Sequence, residues 1–409
     1  MNARNFIRNG FMGICMMAFL SQATAGNVSA ESPCRGSLLA LEQAYETNVV
    51  FRLLMDKAFE NMQQLPDGYH PGGNPWLGKN FSDLVRLLDE WSRFLPQSKG
   101  SSDDGLAYIE QMDFFAYNNP FGRAVFQTSP GIDLFRNFVN ERGAFMNSPE
   151  SAKYIADWLA NPRNERQDYR LPNPDAPDGG FITFNEFFAR SLKDQSECRP
   201  QTLPGRDYVI AAPTDAILNS IPMKIVDNST KLRTKGTEEL NIQQLLAGSQ
   251  YWNRFKGGTA LSCVLMPNTY HRYHSPVSGN VIESRIVDGA LLGMEDFPTF
   301  VPTGGNVGYG ADFSAFENYQ RGYFIIDTGK YGLVAAVAVG LSEIGSVVFE
   351  EQFLQATAPV PIQRGDELGH FLYGGSLVIL VFEPGKYSSD GIYVRLGNQI
   401  GVFDSNGEE

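Results

Sequence analysis

The stretch FLYGGSLVILVFE, residues 371–383, joins a glycine-rich corner to a run of apolar and β-branched side chains. The run from Leu377 to Phe382 has no charged residue and no proline, a pattern typical of a buried strand. Gly374 and Gly375 permit backbone conformations that residues with a Cβ disfavour, so a tight corner can precede the strand. The sequence therefore predicts a buried strand that begins at Ser376, directly after a corner.

Similar runs surround this strand in the second half of the chain. After Tyr208 the sequence changes to short β runs separated by Gly, Pro and Asn. We expect strands at residues 209–219, 261–266, 279–287, 323–327, 332–339, 376–382 and 391–402. One helix, residues 242–255, interrupts them, and the half as a whole is predicted to be rich in β-structure.

The first half has a different pattern. Residues 36–165 show the apolar spacing of amphipathic helices. A stretch rich in Pro, Asp and Gly at 172–180 then marks a boundary. Directly after it, Thr183 with Glu186 three residues on predicts an N-capped amphipathic helix over residues 181–190.

The N-terminus has the features of a secretory signal peptide. Arg4 and Arg8 precede an apolar run, and Ala23-Thr24-Ala25 supplies the small residues of a cleavage site. The apolar run is about half the length that a membrane-spanning helix needs. We therefore expect a secreted or periplasmic protein. The predicted fold class is α+β, and its segments are a signal peptide at 1–25, a helical N-terminal domain at 26–171 and a β-rich domain at 181–409.

The net charge of the chain bears on its binding partners, and its cysteines bear on disulfide formation. The formal charge is −13 and becomes −15 when the two arginines of the signal peptide leave. Because the chain is acidic and has no Lys/Arg run, we expect no nucleic-acid partner.

Cys263 lies in an apolar run and is expected to be a buried thiol. Cys34 and Cys198 are then the pair that an oxidising compartment would allow to form a disulfide.

Ser376, His274 and Asp215 supply the groups that activate a serine hydroxyl: a nucleophile, a base and a carboxylate to orient the base. A secreted serine hydrolase would use the same set. However, the residues around Ser376 lack the second glycine of a G-x-S-x-G elbow, and the serine begins a strand instead of a helix. Gly375 instead suits an attack by Ser376 on its own upstream carbonyl, because no Cβ crowds the tetrahedral intermediate.

A metal site is not expected. His271 and His274 have a spacing compatible with metal ligation, but His70 and His370 are the only other histidines, and no Cys or Glu cluster flanks the pair.

Several motifs, in one order, resemble those of the phosphatidylserine decarboxylase family. They run from Phe181 to about Gly401 and include the helix at 184–190, Arg199-Pro200, Lys235-Gly236, residues 270–276, residues 365–369 and Gly374-Gly375-Ser376. The resemblance implies a catalytic domain like that of the family and a proenzyme that cuts itself between Gly375 and Ser376. The chain departs from the family pattern at Leu377, where a hydroxyl residue is usual, and this departure bears on substrate contacts or cleavage rate.

The resemblance also implies the roles of the site residues. Ser376 would become a pyruvoyl group, the covalent cofactor of a carboxy-lyase, with His274 as the base of the cleavage and Asp215 as its orienting partner. His271 is a candidate for holding the substrate carboxylate or returning the proton. The pyruvoyl carbonyl would condense with a primary amine and accept the electron pair released as CO2 leaves. The large and small fragments would stay associated, and a homodimer is left open.

The amine substrate is the open question. The helical N-terminal region resembles the soluble branch of the family, such as the fungal tryptophan decarboxylases, which act on free L-amino acids. We therefore expect a free, aromatic L-amino acid as substrate. The alternatives are phosphatidylserine, which would yield phosphatidylethanolamine, and, further away, a serine hydrolase or a non-catalytic lipid-binding module.

Overall fold

The structure is a computed structural model of the chain. It describes residues 28–64, 73–99, 102–103, 106–117, 119–218, 223–224, 242–289, 319–341, 346–354 and 358–388. The predicted signal peptide at 1–25 and the predicted strand at 391–402 lie outside the described residues.

The described part of the N-terminal region is built mainly of helices. They are α1 (Arg35–Thr47), α2 (Val49–Glu60), α3 (Phe81–Arg93), α4 (Leu106–Tyr117), α5 (Pro120–Gln127), α6 (Gly131–Met146) and α7 (Ile155–Ala160), with a short hairpin of β1 (Ser98–Lys99) and β2 (Ser102–Asp103). Asn48, Asn80 and Asn119 cap α2, α3 and α5 by accepting hydrogen bonds from first-turn N–H groups. Short 3₁₀ helices at Pro149–Tyr154, Pro162–Asn164 and Arg166–Asp168 flank α7.

Four short helices occur in the rest of the described chain: α8 (Phe184–Phe188), α9 (Gln195–Cys198), α10 (Ile242–Leu245) and α11 (Glu351–Leu354). The predicted start of α8 is confirmed. The Thr183 hydroxyl accepts from the Glu186 N–H at 3.1 Å, and the Glu186 carboxylate accepts from the Ile182 N–H at 2.8 Å.

The larger of the two antiparallel sheets in the second half of the described chain contains the strand predicted at 376–382. Its strands are β3 (Ile217–Leu218), β4 (Met223–Lys224), β5 (Thr259–Leu265), β7 (Gly279–Val287), β8 (Arg321–Asp327), β9 (Leu333–Leu341), β11 (Val360–Ile362) and β13 (Gly375–Phe382). The order is β11-β7-β8-β9-β13-β5-β3, and β4 also pairs with β5. Strand β13 therefore lies inside the sheet, bonded to β9 on one side and to β5 on the other.

The smaller sheet has three strands, β6 (Arg272–His274), β10 (Val347–Phe349) and β12 (Glu367–Phe371), in the order β10-β12-β6. The register of β12 with β6 shifts between Glu367 and Gly369. Since a bulge inserts one extra residue, it lets Glu367 and His370 share a face despite being three residues apart.

The large sheet is the middle of three layers. Successive side chains of β13 point to opposite faces. Leu377, Ile379 and Val381 belong to a buried cluster that continues into helices α1 to α7, and the alternate residues belong to a cluster shared with the small sheet. Helices thus cover one face and the small sheet covers the other. The same alternation places Ser376 on the face towards the small sheet.

The α+β fold class is confirmed, but three predicted elements are shorter than expected. The helix predicted at 181–190 is limited to Phe184–Phe188. Of the strand predicted at 209–219, the structure describes residues 209–218, and among these only Ile217 and Leu218 are in a strand. Pro213 has no N–H to donate, and the preceding residues turn around a cavity. The helix predicted at 242–255 ends at Leu245 and resumes as a 3₁₀ helix at Trp252–Phe255. Ala247 and Gly248 lie between them with positive φ angles of 48° and 70°.

The disulfide expected between Cys34 and Cys198 is not formed. Cys34 is fully buried between α1 and α6, where its thiol donates to the Phe138 carbonyl, and burial raises its pKa to about 12. Cys198 lies at the end of α9, where its thiol donates to the Asp168 carbonyl. Both cysteines are free, as is Cys263, which is buried as predicted. Among the described residues, no helix combines the length and apolarity needed to cross a membrane.

Candidate active site

The predicted cleavage corner leads directly into β13. Gly374 has a φ of 150°, a value that residues with a Cβ rarely adopt. The N–H of Tyr373 donates to the Asn185 side chain on α8 at 2.9 Å. Ser376 is 2% exposed and pairs with Leu265 of β5 and Gly340 of β9. Its hydroxyl oxygen is buried and has no hydrogen-bond partner among the described residues.

Helix α8 places His271 beside this corner. The ring of Phe188 stacks on the imidazole of His271, with centroids 3.8 Å apart. On another side, Phe188 meets Tyr373 edge-on at 5.3 Å. Since Tyr373 is three residues before Ser376, a single aromatic side chain links His271 to the cleavage corner.

His271 is a buried, neutral imidazole. Its Nδ1 donates to the Thr269 carbonyl at 2.9 Å, which leaves Nε2 with its lone pair. Burial, with a smaller contribution from the nearby Arg190 charge, lowers the pKa of His271 to about 3. The ring can therefore accept a proton at neutral pH only if the charge that forms is offset.

His274 lies in β6 with both ring nitrogens engaged. Nδ1 donates to the Gly365 carbonyl at 2.8 Å, and Nε2 accepts from the Tyr270 hydroxyl at 2.9 Å. Burial lowers the pKa of His274, while the negative charge of Asp215 acts in the opposite direction. The structure thus gives His274 hydrogen bonds to neither Ser376 nor Asp215.

Asp215 is held by an arginine. Nε of Arg199 donates to both carboxylate oxygens at 2.9 Å, and one Nη donates to Oδ2 at 2.8 Å. Asp215 and His274 nevertheless line the same cavity, of about 390 Å³. Its other walls are formed by residues 192–214 near α9, by Tyr270 and by Gly365. The predicted set therefore falls into two halves, with Asp215 and His274 at the cavity and His271 at the cleavage corner.

Sheet register brings the two halves to the same end of the large sheet. Ser376 pairs with Leu265, the last residue of β5, and Ile217 pairs with Val264 on the other edge of β5. Asp215, two residues before Ile217, is therefore at the level of Ser376, with the end of β5 between them. The segment after β5 carries Tyr270, His271 and His274 over this end.

A group that could hold a metal ion lies on the small sheet instead of at the His271–His274 pair. Ligand atoms of Glu350, Glu367 and His370 lie within 4.8 Å of one another. Arg272 forms an ion pair with Glu367, and burial together with the Glu367 charge raises the pKa of Glu350. The arginine and a proton shared by the carboxylates can balance this charge without a cation.

Four residues of the site were not predicted from the sequence: Asn185, Phe188, Arg199 and Tyr270. Arg199 and Tyr270 stand inside the motifs on which the family resemblance rests, and that was the available signal. Asn185 and Phe188 belong to the predicted helix, but which of its side chains would face the corner depended on the packing of Tyr373 against it.

Comparison with known proteins identifies the family of the chain. The profile of the family described as Phosphatidylserine decarboxylase matches residues 184–402, more than half of the chain. Phosphatidylserine decarboxylase proenzyme 3 of Schizosaccharomyces pombe is 33% identical over 257 residues, which cover 63% of this chain and 24% of that protein. Phosphatidylserine decarboxylase proenzyme 2 of Oryza sativa subsp. japonica is 33% identical over 303 residues, covering 69% and 45%.

A third relative matches over most of its length. The phosphatidylserine decarboxylase proenzyme of Fusobacterium nucleatum is 29% identical over 278 residues, covering 68% of this chain and 82% of that protein. The chain spans less than half of the length of the other two relatives. The matched range contains Asp215, His271, His274 and the Gly375-Ser376 corner, and the chain belongs to the phosphatidylserine decarboxylase family.

Proposed function

We propose that this chain is a self-processing decarboxylase that converts Ser376 into a pyruvoyl group and acts on phosphatidylserine. The observation that carries the proposal is the Ser376 hydroxyl, buried without a partner among the described residues and placed directly after a glycine corner. A buried hydroxyl without a partner is costly and requires an explanation, and a catalytic role is one such explanation. The residues present therefore fit a cofactor that forms from this serine.

Self-processing needs only atoms of the corner and water. The Ser376 oxygen adds to the Gly375 carbonyl carbon, and cleavage of the C–N bond turns the amide into an ester. Loss of the Ser376 Cα proton then forms the Cα=Cβ double bond and breaks the bond between Cβ and Oγ of Ser376, which leaves Gly375 with a free carboxylate. Water then hydrolyses the resulting dehydroalanine: its nitrogen leaves as ammonia, and a pyruvoyl group remains. Gly375 favours the first step because it has no Cβ to crowd the attack.

His274 is the proposed base, and Asp215 supplies the charge that stabilises the imidazolium. Support comes from the neutral state of His274, whose pKa is lowered by burial, and from the effect of Asp215 on it. Nε2 of His274 accepts a hydrogen bond from the Tyr270 hydroxyl. This hydrogen bond must break before Nε2 can take up a proton from another group. His271 is assigned to turnover, and its stacking on Phe188 supports a place beside the corner.

The pyruvoyl group would supply an electrophilic carbonyl that takes the substrate amine and accepts the electron pair as CO2 leaves. The chain's contribution is to hold that group in place. Strand β13 pairs with β9 and β5 along its length, so the small fragment would stay bound to the large one after cleavage. The buried Ser376 position also keeps bulk water away from the reacting atoms.

The comparisons favour phosphatidylserine over the free aromatic amino acid expected from the sequence. The three relatives described above are named as phosphatidylserine decarboxylase proenzymes, and none is named for a free amino acid. The resemblance of the helical region to a soluble branch concerned architecture, whereas the relatives' names concern the reaction. The substrate proposed here is therefore the serine head group of a phospholipid.

A direct comparison of substrates tests this proposal. Purified, cleaved protein is incubated with phosphatidylserine in mixed micelles, and separately with L-serine, L-tryptophan and L-tyrosine, and product is measured by mass spectrometry. We expect phosphatidylethanolamine from the first sample only, with Ser376→Ala protein as the inactive control. Amine release from a free amino acid without lipid turnover would overturn the substrate proposal, and no product from any sample would overturn the decarboxylase proposal.

We further propose that the chain is exported, on the basis of the arginines, apolar run and Ala-Thr-Ala site in residues 1–25. N-terminal sequencing of the large fragment from cells should then begin at Gly26, and a start at Met1 would contradict export by cleavage.

A further inference from the structure

Arg199 is surrounded by three carboxylates. Besides the bonds to Asp215, its Nη1 donates to Asp168 at 2.6 Å, and its Nη2 forms an ion pair with Glu165. All four groups are partly exposed, from 19% for the Asp168 side chain to 48% for Glu165. Isolated pairs at such exposure contribute little to stability, but a guanidinium with several oriented bonds restricts geometry strongly.

The carboxylates come from different parts of the chain. Glu165 and Asp168 belong to the turn after α7, before the Pro/Asp/Gly-rich boundary, and Asp215 directly precedes β3. The turn is itself anchored, because the Asp168 carbonyl accepts from the Lys193 N–H at 2.9 Å and from the Cys198 thiol. Arg199 therefore ties the position of Asp215 to a fixed point in the helical region.

Asp215 can influence His274 only electrostatically, and the size of this influence depends on where the Asp215 carboxylate lies. Its charge raises the pKa of His274, although the two side chains share no hydrogen bond in the structure. Such an interaction falls with distance and with exposure to water. If Arg199 were absent, the three carboxylates of Asp168, Glu165 and Asp215 would repel one another. The Asp215 side chain, which is 30% exposed, would then turn towards solvent and away from His274.

We propose that Arg199 is a positioning residue for Asp215, and that Asp168 and Glu165 of the helical region set the orientation of its guanidinium. The inference rests on the proposed self-processing and on the role of Asp215 in it. Arg199 touches neither Ser376 nor the scissile bond and acts through Asp215. The helical region is thereby coupled to the cleavage reaction by a chain of oriented ion pairs.

The experiment is a time course of self-cleavage after cell-free synthesis, for Arg199→Ala, Asp215→Asn and the double variant. Groups that orient a catalytic side chain are typically worth on the order of 10–100-fold, so Arg199→Ala should slow cleavage by about that factor. The double variant should cleave no more slowly than Asp215→Asn, because Arg199 has no other route to the reaction. Guanidinium ion at a non-denaturing concentration should partly restore Arg199→Ala but not the double variant.

Controls and contrary outcomes separate this inference from the proposed function. Arg86→Ala removes an arginine paired with a carboxylate on α3, far along the chain, and should cleave at the wild-type rate. If Asp215→Asn cleaves normally, the proposed role of Asp215 fails. If Asp215→Asn cleaves slowly but Arg199→Ala cleaves at the wild-type rate, only the positioning role of Arg199 fails. The same conclusion follows if the double variant loses the product of the two single rate losses and guanidinium restores no cleavage. Should Arg199→Ala not fold, Arg199→Lys, which keeps the charge and loses the paired bonds, is compared with Asp215→Asn in the same way.

Discussion

Two neutral imidazoles lie near Ser376 in the chain's fold, and they differ in their contacts. His274 bonds to Tyr270 and Gly365 and faces the cavity that contains Asp215. His271 stacks on Phe188, which also contacts the cleavage corner. Both are neutral at neutral pH, since burial lowers the pKa of each, and each can take up a proton only where the charge that forms is offset. Separating their roles requires two reactions to be measured, cleavage and turnover.

The first prediction separates the two histidines. His274→Ala should slow self-cleavage by roughly 10²–10⁴-fold, the usual contribution of a general base. His271→Ala should still cleave and should lose decarboxylation. Gel analysis of cleavage and mass spectrometry of product, on the same preparations, measure the two effects. An uncut His271→Ala protein, with His274→Ala cleaving normally, would mean that the two roles are exchanged.

The sequence indicated candidate site residues, but it did not indicate their hydrogen-bond partners. The activating chemistry of serine, histidine and aspartate pointed to Ser376, His274 and Asp215, which the fold brings to one end of the large sheet. It did not indicate that Arg199 holds Asp215 or that Tyr270 occupies His274. Those bonds depend on how the turn after α7 and the segment after β5 pack, and neither packing has a local signature.

Among the elements, α8 contributes most to the cleavage corner for its length. In five residues it supplies Asn185, which accepts from the Tyr373 N–H, and the two aromatic rings that contact Tyr373. The Asn185 amide also donates to the Asn147 side chain at 3.0 Å. The helix thus connects the end of α6 to the backbone just before Gly374.

A second prediction follows from this connection. Asn185→Ala removes the hydrogen bond between the Asn185 side chain and the buried Tyr373 N–H, which should cost about 1–3 kcal/mol of stability and slow cleavage by loosening the corner. Denaturant unfolding and a cleavage time course measure the two effects. Asn147→Ala is the matched control, because it removes the other bond of Asn185 and leaves the bond to Tyr373 in place. Equal cleavage rates in both variants would show that α8 does not position the corner.

The sequence predicted the long elements better than the short ones. The run from Leu377 to Phe382 and the runs in β5, β7, β8 and β9 carry enough apolar residues to identify them. The three strands of the small sheet are three to five residues long, and their polar face holds Arg272, Glu367 and His370. Such strands form because the large sheet offers an apolar face to cover, which a local pattern cannot indicate.

The three-layer packing of the molecule buries His271 and His274 in their uncharged form. Because both gain protons on unfolding at low pH, the stability of the fold depends on pH. In the unfolded chain these histidines have pKa values near 6.5. In the folded chain the pKa of His271 falls to about 3, and that of His274 is also lowered. Below about pH 6.5 the unfolded state therefore binds protons that the folded state does not, so stability falls as the pH falls.

The third prediction is the size of this dependence. Each such histidine should reduce stability by up to about 1.4 kcal/mol for each pH unit below its unfolded pKa. Urea unfolding between pH 7 and pH 5 is measured in a Ser376→Ala background, so that a single chain unfolds. His271→Gln should reduce the slope by about one proton, although it lowers stability at pH 7. An unchanged slope would mean that His271 is not held neutral by the fold.

Attack of Ser376 on the Gly375 carbonyl should cut the chain, and intact-mass spectrometry of freshly purified protein detects the cut. We expect two associated polypeptides, a large fragment ending at Gly375 and a small fragment that begins with a pyruvoyl group in place of Ser376. Ser376→Ala should give one uncut chain of the same fold. A wild-type protein that remains one chain with an unmodified Ser376 would show that this reaction does not occur. Esterase activity in that chain would indicate a serine hydrolase, and its absence would indicate a binding module.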